Sequence, residues 1–374
     1  MKKLTRRPLS PLALLAVGAL AVAVAAAGCG GSSNESTTTS ASGGGGSGGG
    51  KIQVCVLLPD TTSSVRYELF DRPYLASAFK AANIKFSILN ALGDAQKQRS
   101  QGDQCLTNGA KVVLLDALDS GTGAAIEKAV DAKGGKSIDY DRLVLNGKAS
   151  YYVSFDNVVV GKTMGKGLVD ALKANGKYSQ KPVISRLDGG ITDNNATLFK
   201  QGYDSVLDPL FKKGTFVEAK SGDQFTDWDA QKAATIFEQM LAANNNKIDG
   251  SIAANDNLAG AVVSVLKSHK LKPIPLTGQD ATPQGVQNIL SGWQSGTVYK
   301  AVKEEADAAA KVAIDIIKGN TVKTNATANN KVRDVPSVFL TPVWITKKNY
   351  TILFKDKYLK KSQVCTGQYA KFCK

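Results

Sequence analysis

Six polar groups stand where this chain could do chemistry: Asp141-Arg142, Asp156-Asn157, Asp193-Asn194-Asn195, Asn255-Asp256, Gln279-Asp280 and Lys300. Each follows a short apolar run of strand length, and side chains at the carboxyl ends of parallel strands face the crevice in which α/β proteins hold ligands. Carboxylate and amide acceptors lie beside guanidinium, amide and ammonium donors, a mixture that suits a ligand whose hydroxyls donate and accept together. A charge-assisted hydrogen bond shielded from water contributes about 1.5–3 kcal/mol. Tyr67 and Trp228 add flat apolar faces for the C–H side of a ring. Asx residues after strands also cap helices, so each group alone is ambiguous; six on one crevice point to a binding site.

Reaction chemistry is poorly supplied. Gly161-Lys162-Thr163 imitates the end of a phosphate loop, but that pattern needs glycine at position 156, where Asp156 would repel phosphate. Gly121-Thr122-Gly123 opens a predicted helix, yet Ile126 replaces the third glycine of the dinucleotide fingerprint. The single histidine, His269, falls in a lysine-rich loop, and there is no Cys-x-x-Cys, so neither a histidine-based triad nor a metal site is expected. Asp227 and Asp229 pair only by spacing. The chain reads as a binding protein without cofactor or metal rather than an enzyme.

The elements that must position these groups alternate. Strands are predicted at Ile52–Leu58, Ile84–Leu89, Val112–Leu115 and Ser137–Tyr140, with helices at Tyr67–Ala82, Ala95–Thr107 and Ala124–Ala132 between them. The rhythm resumes with helices Val158–Ala174, Ala196–Phe211, Ala230–Ala243, Leu258–Ser268 and Pro283–Ser291, and strands Val183–Leu187, Phe216–Ala219, Gly250–Ala254, Ile274–Thr277 and Val298–Tyr299. Such alternation implies parallel sheets covered on both faces. The expected fold is α/β, two doubly wound Rossmann-like lobes. A long helix, Val302–Lys318, and a strand, Val338–Ile345, then carry the chain back to the first lobe and again to the second. Residues 51–154 with 301–334 are assigned to the N-terminal lobe, 155–300 with 335–350 to the C-terminal lobe, and 351–374 to a basic tail.

The amino terminus stands apart. Lys2, Lys3, Arg6 and Arg7 precede an apolar run that ends in Ala26-Ala27-Gly28-Cys29, the layout of an export signal. Residues 1–29 resemble a lipoprotein signal with its lipobox, which makes Cys29 the expected lipidation site, and the Gly/Ser/Thr-rich residues 30–50 read as a flexible tether. An exported, lipid-anchored protein at the outer face of the cytoplasmic membrane is expected. Four further cysteines in an oxidising compartment imply two disulfides; of three pairings, Cys55–Cys105 and Cys365–Cys373 are favoured. The formal charge of +15 includes the four basic residues of the signal. The lysines are scattered rather than interleaved with aromatics, which argues against nucleic acid. Their densest group lies in the tail and reads as a solvated face.

The polar groups also carry a resemblance. Arg66-Tyr67-Glu68, Tyr140-Asp141-Arg142, Ser154-Phe155-Asp156-Asn157, Asp193-Asn194-Asn195-Ala196, Ala254-Asn255-Asp256, Gly278-Gln279-Asp280 and Thr297-Val298-Tyr299-Lys300 resemble, in order, the D-xylose-binding and multiple-sugar-binding proteins of bacterial ABC importers. That resemblance implies the type I periplasmic-binding-protein fold, with three hinge segments and a monosaccharide enclosed between lobes. It implies that Arg66, Asp141, Arg142, Asn157, Asn195, Trp228, Asn255, Asp280 and Lys300 line the pocket, and that the partners are a pentose or hexose, xylose favoured, and the membrane subunits of an ABC permease, the binding protein itself being a monomer. The chain departs from the family pattern at Lys136-Ser137-Ile138-Asp139, where a more apolar strand is common, and at Tyr67-Glu68, where Trp is common. The second departure bears on sugar choice. A sugar-sensing lobe for a membrane receptor and an exported sugar-active enzyme are the alternatives.

Overall fold

Valine- and leucine-rich runs buried on both faces require cover on both sides, and the chain supplies it. The computed structural model describes residues 51–373; the expected signal, the expected lipidation site Cys29 and the expected tether lie outside them. The strands are β1 Val54–Leu58, β2 Phe86–Asn90, β3 Val112–Leu115, β4 Lys136–Tyr140, β5 Tyr151–Phe155, β6 Val183–Asp188, β7 Val217–Phe225, β8 Gly250–Ala253, β9 Thr297–Tyr299, β10 Ala326–Asn329, β11 Asp334–Leu340 and β12 Val343–Ile345. The main helices are α1 Arg72–Ala81, α2 Ala95–Thr107, α3 Ser120–Ala132, α4 Asn157–Ala174, α5 Asn194–Lys212, α6 Ala230–Ala243, α7 Asp256–Ser268, α8 Pro283–Ser291 and α9 Val302–Lys318.

The first lobe is built on a seven-stranded sheet in the order β10-β11-β5-β4-β3-β1-β2. Alternate residues of β1 point to opposite faces: Val54, Val56 and Leu58 pack on α1 and the alanine stripe of α9, while Cys55 and Leu57 pack on α2 and α3. Cys55 is bonded to Cys105 of α2, which staples a strand to the helix beneath it. In the second lobe β7-β6-β8 form a parallel sheet, β9 and β12 an antiparallel pair, and single bridges at Leu276 and Gln279 connect the two. Helices α4 and α5 cover one face and α6 and α7 the other.

Three segments cross between the lobes: β5 into α4, β9 into α9, and β11 into β12. The last crossing differs from the sequence reading. The single strand expected at Val338–Ile345 is two, interrupted at Thr341-Pro342, and residues 337–340 pair with β5 of the first lobe. The crossing therefore falls after Leu340 rather than after residue 334. The strand expected at Ile274–Thr277 is only a bridge, because Pro273 and Pro275 have no N–H for a ladder. The expected helix Tyr67–Ala82 begins as a π-helical turn, Tyr67–Asp71, in which the Arg72 N–H reaches the Tyr67 carbonyl. Pro73, lacking an N–H, stands at the start of the α-helix proper.

The tail departs most from expectation. Its described lysines are exposed, but Leu353, Tyr358, Leu359 and Val364, with the preceding Tyr350, are buried against Phe70, Val286, Leu290 and Tyr299, and Cys365 is bonded to Cys373. Apolar residues spaced among lysines give a packed segment with a charged outer skin.

Candidate functional site

Strand ends and helix starts bring the polar groups to one place. The loop after β1 contributes Ser63, Ser64, Arg66 and Tyr67, the end of β4 contributes Asp141 and Arg142, and the start of α5 contributes Asp193, Asn195 and Phe199. Trp228 follows β7, Asn255 follows β8, Gln279 and Asp280 precede α8, and Lys300 lies at the second crossing. Several of these loops turn through left-handed backbone at non-glycine residues: Asp141 has φ +60°, Trp228 +61° and Asp280 +92°. Such conformations persist only where the surroundings over-determine them.

Asp141 is the electrostatic centre. One carboxylate oxygen accepts from Arg66 Nη1 at 2.9 Å and from Lys300 Nζ at 2.8 Å. Its carbonyl accepts from Ser154 Oγ, Tyr152 Oη and Asn195 Nδ2 at 2.8–3.0 Å. Burial pushes the carboxyl up, but Lys300, Arg66 and Arg142 outweigh it and hold Asp141 well below the usual carboxylate range. Arg66 is the buried counter-ion, donating Nε and Nη2 to Asp71 at 2.9 and 2.7 Å and Nη2 to Glu305 at 2.6 Å. Burial raises Glu305 to about 7 against the pull of Arg66. Asp280 is likewise raised by burial, opposed by Lys300 and Arg66.

Arg142 spans the two lobes. Its Nη2 donates to the Tyr67 hydroxyl at 3.1 Å and its Nη1 to the Ala117 carbonyl at 3.2 Å, while Nε lies 3.2 Å from Asp193 and 3.4 Å from Asp116. Burial raises Asp193 and Asp116 against the attraction of Arg142. The lobes also meet through Ser64 Oγ to Asp280 Oδ2 and Asn255 Nδ2 to the Ser63 carbonyl, both at 2.9 Å. The structure is thus closed. The inner cavity is about 20 Å³, room for roughly one water, and it adjoins a cavity of about 690 Å³ that shares Ser63, Arg142, Asp193 and Trp228 with it.

Nine of the ten expected residues, Arg66, Tyr67, Asp141, Arg142, Asn195, Trp228, Asn255, Asp280 and Lys300, line the one cavity. Asn157 does not. It lies a layer behind, donating to Asn195 Oδ1 at 2.8 Å and to the Tyr152 hydroxyl at 3.1 Å, because the first turn of α4 turns it toward the hinge strand. Asp156 caps α4, accepting from the Val158 and Val159 amides. Tyr67 offers its ring face to two guanidiniums, with centroid distances of 5.7 Å from Arg66 and 5.8 Å from Arg142. The aromatic wall opposite is Trp228 edge-on to Phe199. Ser63, Ser64 and Phe199 were not expected. Phe199 is one helical turn beyond Asn195, a spacing that carries the signal; the two serines sit in a loop with no pattern of their own.

The imitations of enzyme motifs have structural explanations. Gly161 is inside α4, where a Cβ would collide with the Phe199 carbonyl and Gly202, so it serves helix packing. Gly123 packs under Val144. Asp229 caps α6 and Asp227 pairs with Lys232. Among the described residues no group of three or more metal-ligating side chains occurs, and no helix is long and apolar enough to cross a membrane.

Comparison with known proteins agrees with this geometry. The sequence profile of the "Periplasmic binding protein domain" family matches residues 54–321. The chain is 33% identical over 297 residues to the D-xylose-binding periplasmic protein of Escherichia coli, covering 79% of this chain and 87% of the relative. It is also 33% identical over 325 residues to a multiple sugar-binding periplasmic receptor of Rhizobium radiobacter, covering 81% and 90%. A carbohydrate transporter solute-binding protein of Chloroflexus aurantiacus, crystallised with D-glucose, superposes with a TM-score of 0.77 at 29% identity, covering 83% of this chain and 98% of the other.

Proposed function

We propose that this chain, which belongs to the periplasmic binding protein family, captures a single aldose sugar, D-xylose first among them, between its lobes and delivers it to an ABC permease. One observation carries the reading: donors and acceptors from both lobes, Asp141, Arg142 and Arg66 on one side and Asn195, Asn255 and Asp280 on the other, converge on one closed cavity. A ligand that touches both lobes binds the closed state better than the open one and draws the population toward it. Asp280 and Asp141 serve as hydroxyl acceptors, while Arg142, Asn195, Asn255 and Lys300 serve as donors. Trp228 and Phe199 cover the C–H face of the ring. The sugar specificity of the named relatives, xylose in one case and several sugars in another, supports this choice.

Export with acylation of Cys29 would hold the protein at the membrane, with residues 30–50 as its tether. The test is a thermal-shift panel of xylose, ribose, arabinose, glucose and galactose on the purified protein. Xylose should raise the melting temperature most; no shift with any of the five contradicts the reading. Arg142→Ala should lose at least about 30-fold in affinity, a buried charged donor contributing about 2–3 kcal/mol, and retained affinity removes Arg142 from the site.

A further inference from the structure

The C-terminal segment is packed behind the cavity rather than free of it. Tyr358 is buried, and its hydroxyl donates to the carbonyl of Asp280 at 2.7 Å. Its ring lies 4.2 Å from that of Phe70 in the first lobe and 4.9 Å from that of Tyr299 in the second, measured between centroids. Phe70 belongs to the same π-helical turn as Tyr67, which lines the cavity. One side chain of the tail therefore touches the carbonyl of a cavity carboxylate and both lobes.

Asp280 needs such support. Its φ of +92° and that of Ala281, +49°, place two consecutive residues with a Cβ in a region that favours glycine. Three hydrogen bonds hold the backbone of Asp280 and Ala281, while Ser64 Oγ donates to the Asp280 carboxylate at 2.9 Å. The Asp280 amide donates to the Val298 carbonyl at 2.9 Å, the Ala281 amide to Thr297 Oγ1 at 3.2 Å, and the third comes from Tyr358. The first two belong to the second lobe's own strand; the third arrives from a segment over 70 residues further along the chain. That segment is fixed in turn by Gln287 Nε2 donating to the Val364 carbonyl at 3.1 Å, by burial of Leu353, Leu359 and Val364, and by the Cys365–Cys373 bond.

We infer that residues 350–373 form a strap that fixes the Asp280 turn so that its carboxylate faces the ligand, with Tyr358 as the positioning residue; this rests on the sugar-binding reading of the cavity. The strap acts on the turn from behind, and none of its residues lines the cavity. Because it also packs on Phe70, it ties the acceptor of one lobe to the cavity loop of the other.

Tyr358→Phe tests it, since both ring contacts remain and only the hydroxyl donor is lost. D-Xylose affinity by isothermal titration should fall at least about fivefold, the loss expected of one buried hydrogen bond. In an Asp280→Asn background the same substitution should change affinity less than about twofold, because it acts through residue 280. Unchanged affinity in Tyr358→Phe, or losses that multiply in the double variant, overturns the inference. Hydrogen exchange reads the strap without ligand: the Asp280 and Ala281 amides should exchange at least about tenfold faster in Tyr358→Phe while those of α7 do not change. Equal exchange in variant and parent overturns the inference. If the parent binds no aldose, the sugar reading fails and the exchange rates alone decide the strap.

Discussion

Asp141 does two jobs at once: its carboxylate neutralises Arg66 and Lys300, and its carbonyl anchors Asn195 across the cleft. Removing its charge leaves two buried cations under-compensated. Asp141→Asn should therefore cost about 3–5 kcal/mol in urea unfolding, the loss typical of breaking a buried ion pair from one side; a loss below about 1 kcal/mol contradicts the placement. Asn157→Ala should weaken sugar binding about fivefold through Asn195 and cost about 1–3 kcal/mol of stability, because Asn195 Oδ1 and the Tyr152 hydroxyl lose a buried partner, whereas Asn195→Ala loses more affinity. Legibility at this scale followed chemistry. Charged and amide residues after apolar runs could be read as a cluster, and eight of them, Asp141, Arg142, Asp193, Asn195, Asn255, Gln279, Asp280 and Lys300, share the cavity. Asn157 belonged to the same pattern, yet one residue of helical phase put it behind the wall. Ser63 and Ser64 could not be read, because a hydroxyl in a loop looks the same whether it meets solvent or a carboxylate. Asp139, the apparent flaw in an apolar strand, accepts from the Val144 amide at 2.8 Å beside Glu127, a burial no local pattern announces.

Among the elements, the pair α4 and α5 is the most tightly joined, glycine against glycine at Gly161 and Gly202. Gly161→Ala should destabilise the protein by about 1–3 kcal/mol, as overpacking does, and a variant as stable as the parent shows that the helices can part at no cost. This packing explains why a Gly-Lys-Thr run tells nothing of phosphate here: the glycine faces a neighbouring backbone. Strand and helix existence was readable from period alone, since buried runs such as Val112–Leu115 and amphipathic stretches such as Ala230–Ala243 differ in repeat. Interruptions were less so. Pro275 and Pro342 mark where ladders fail, but an apolar run with a proline still looks like a strand until its partner is known.

For the whole molecule, burial of carboxyls sets the response to pH. Burial pushes Glu305 to about 7 against Arg66, Asp256 to about 7 against the Gln294 and Thr282 donors, and Asp188 to about 7 with Asp223 adding to the rise. In the unfolded chain these groups titrate near 4. Between about pH 4 and 7 the folded state keeps protons that the unfolded state has released, so their stabilisation is full below that window and is lost as pH rises through it. Melting temperature should fall from pH 5 to pH 8, and Glu305→Gln, which fixes the neutral form beside Arg66, should shallow the fall. A rise over that interval contradicts the assignment. The two-lobe plan was legible because the strand–helix rhythm restarts after Tyr151; the packed tail was not, because its lysines dominate the composition while Tyr358 and Leu359 do the packing.

The central claim is that one sugar is bound between the lobes. Isothermal titration of D-xylose into the purified protein tests it most directly. The account predicts a single saturable site, one sugar per chain, with a dissociation constant at or below about 1 μM, or about −8 kcal/mol. No saturable heat with xylose or with any other aldose at millimolar concentration contradicts it.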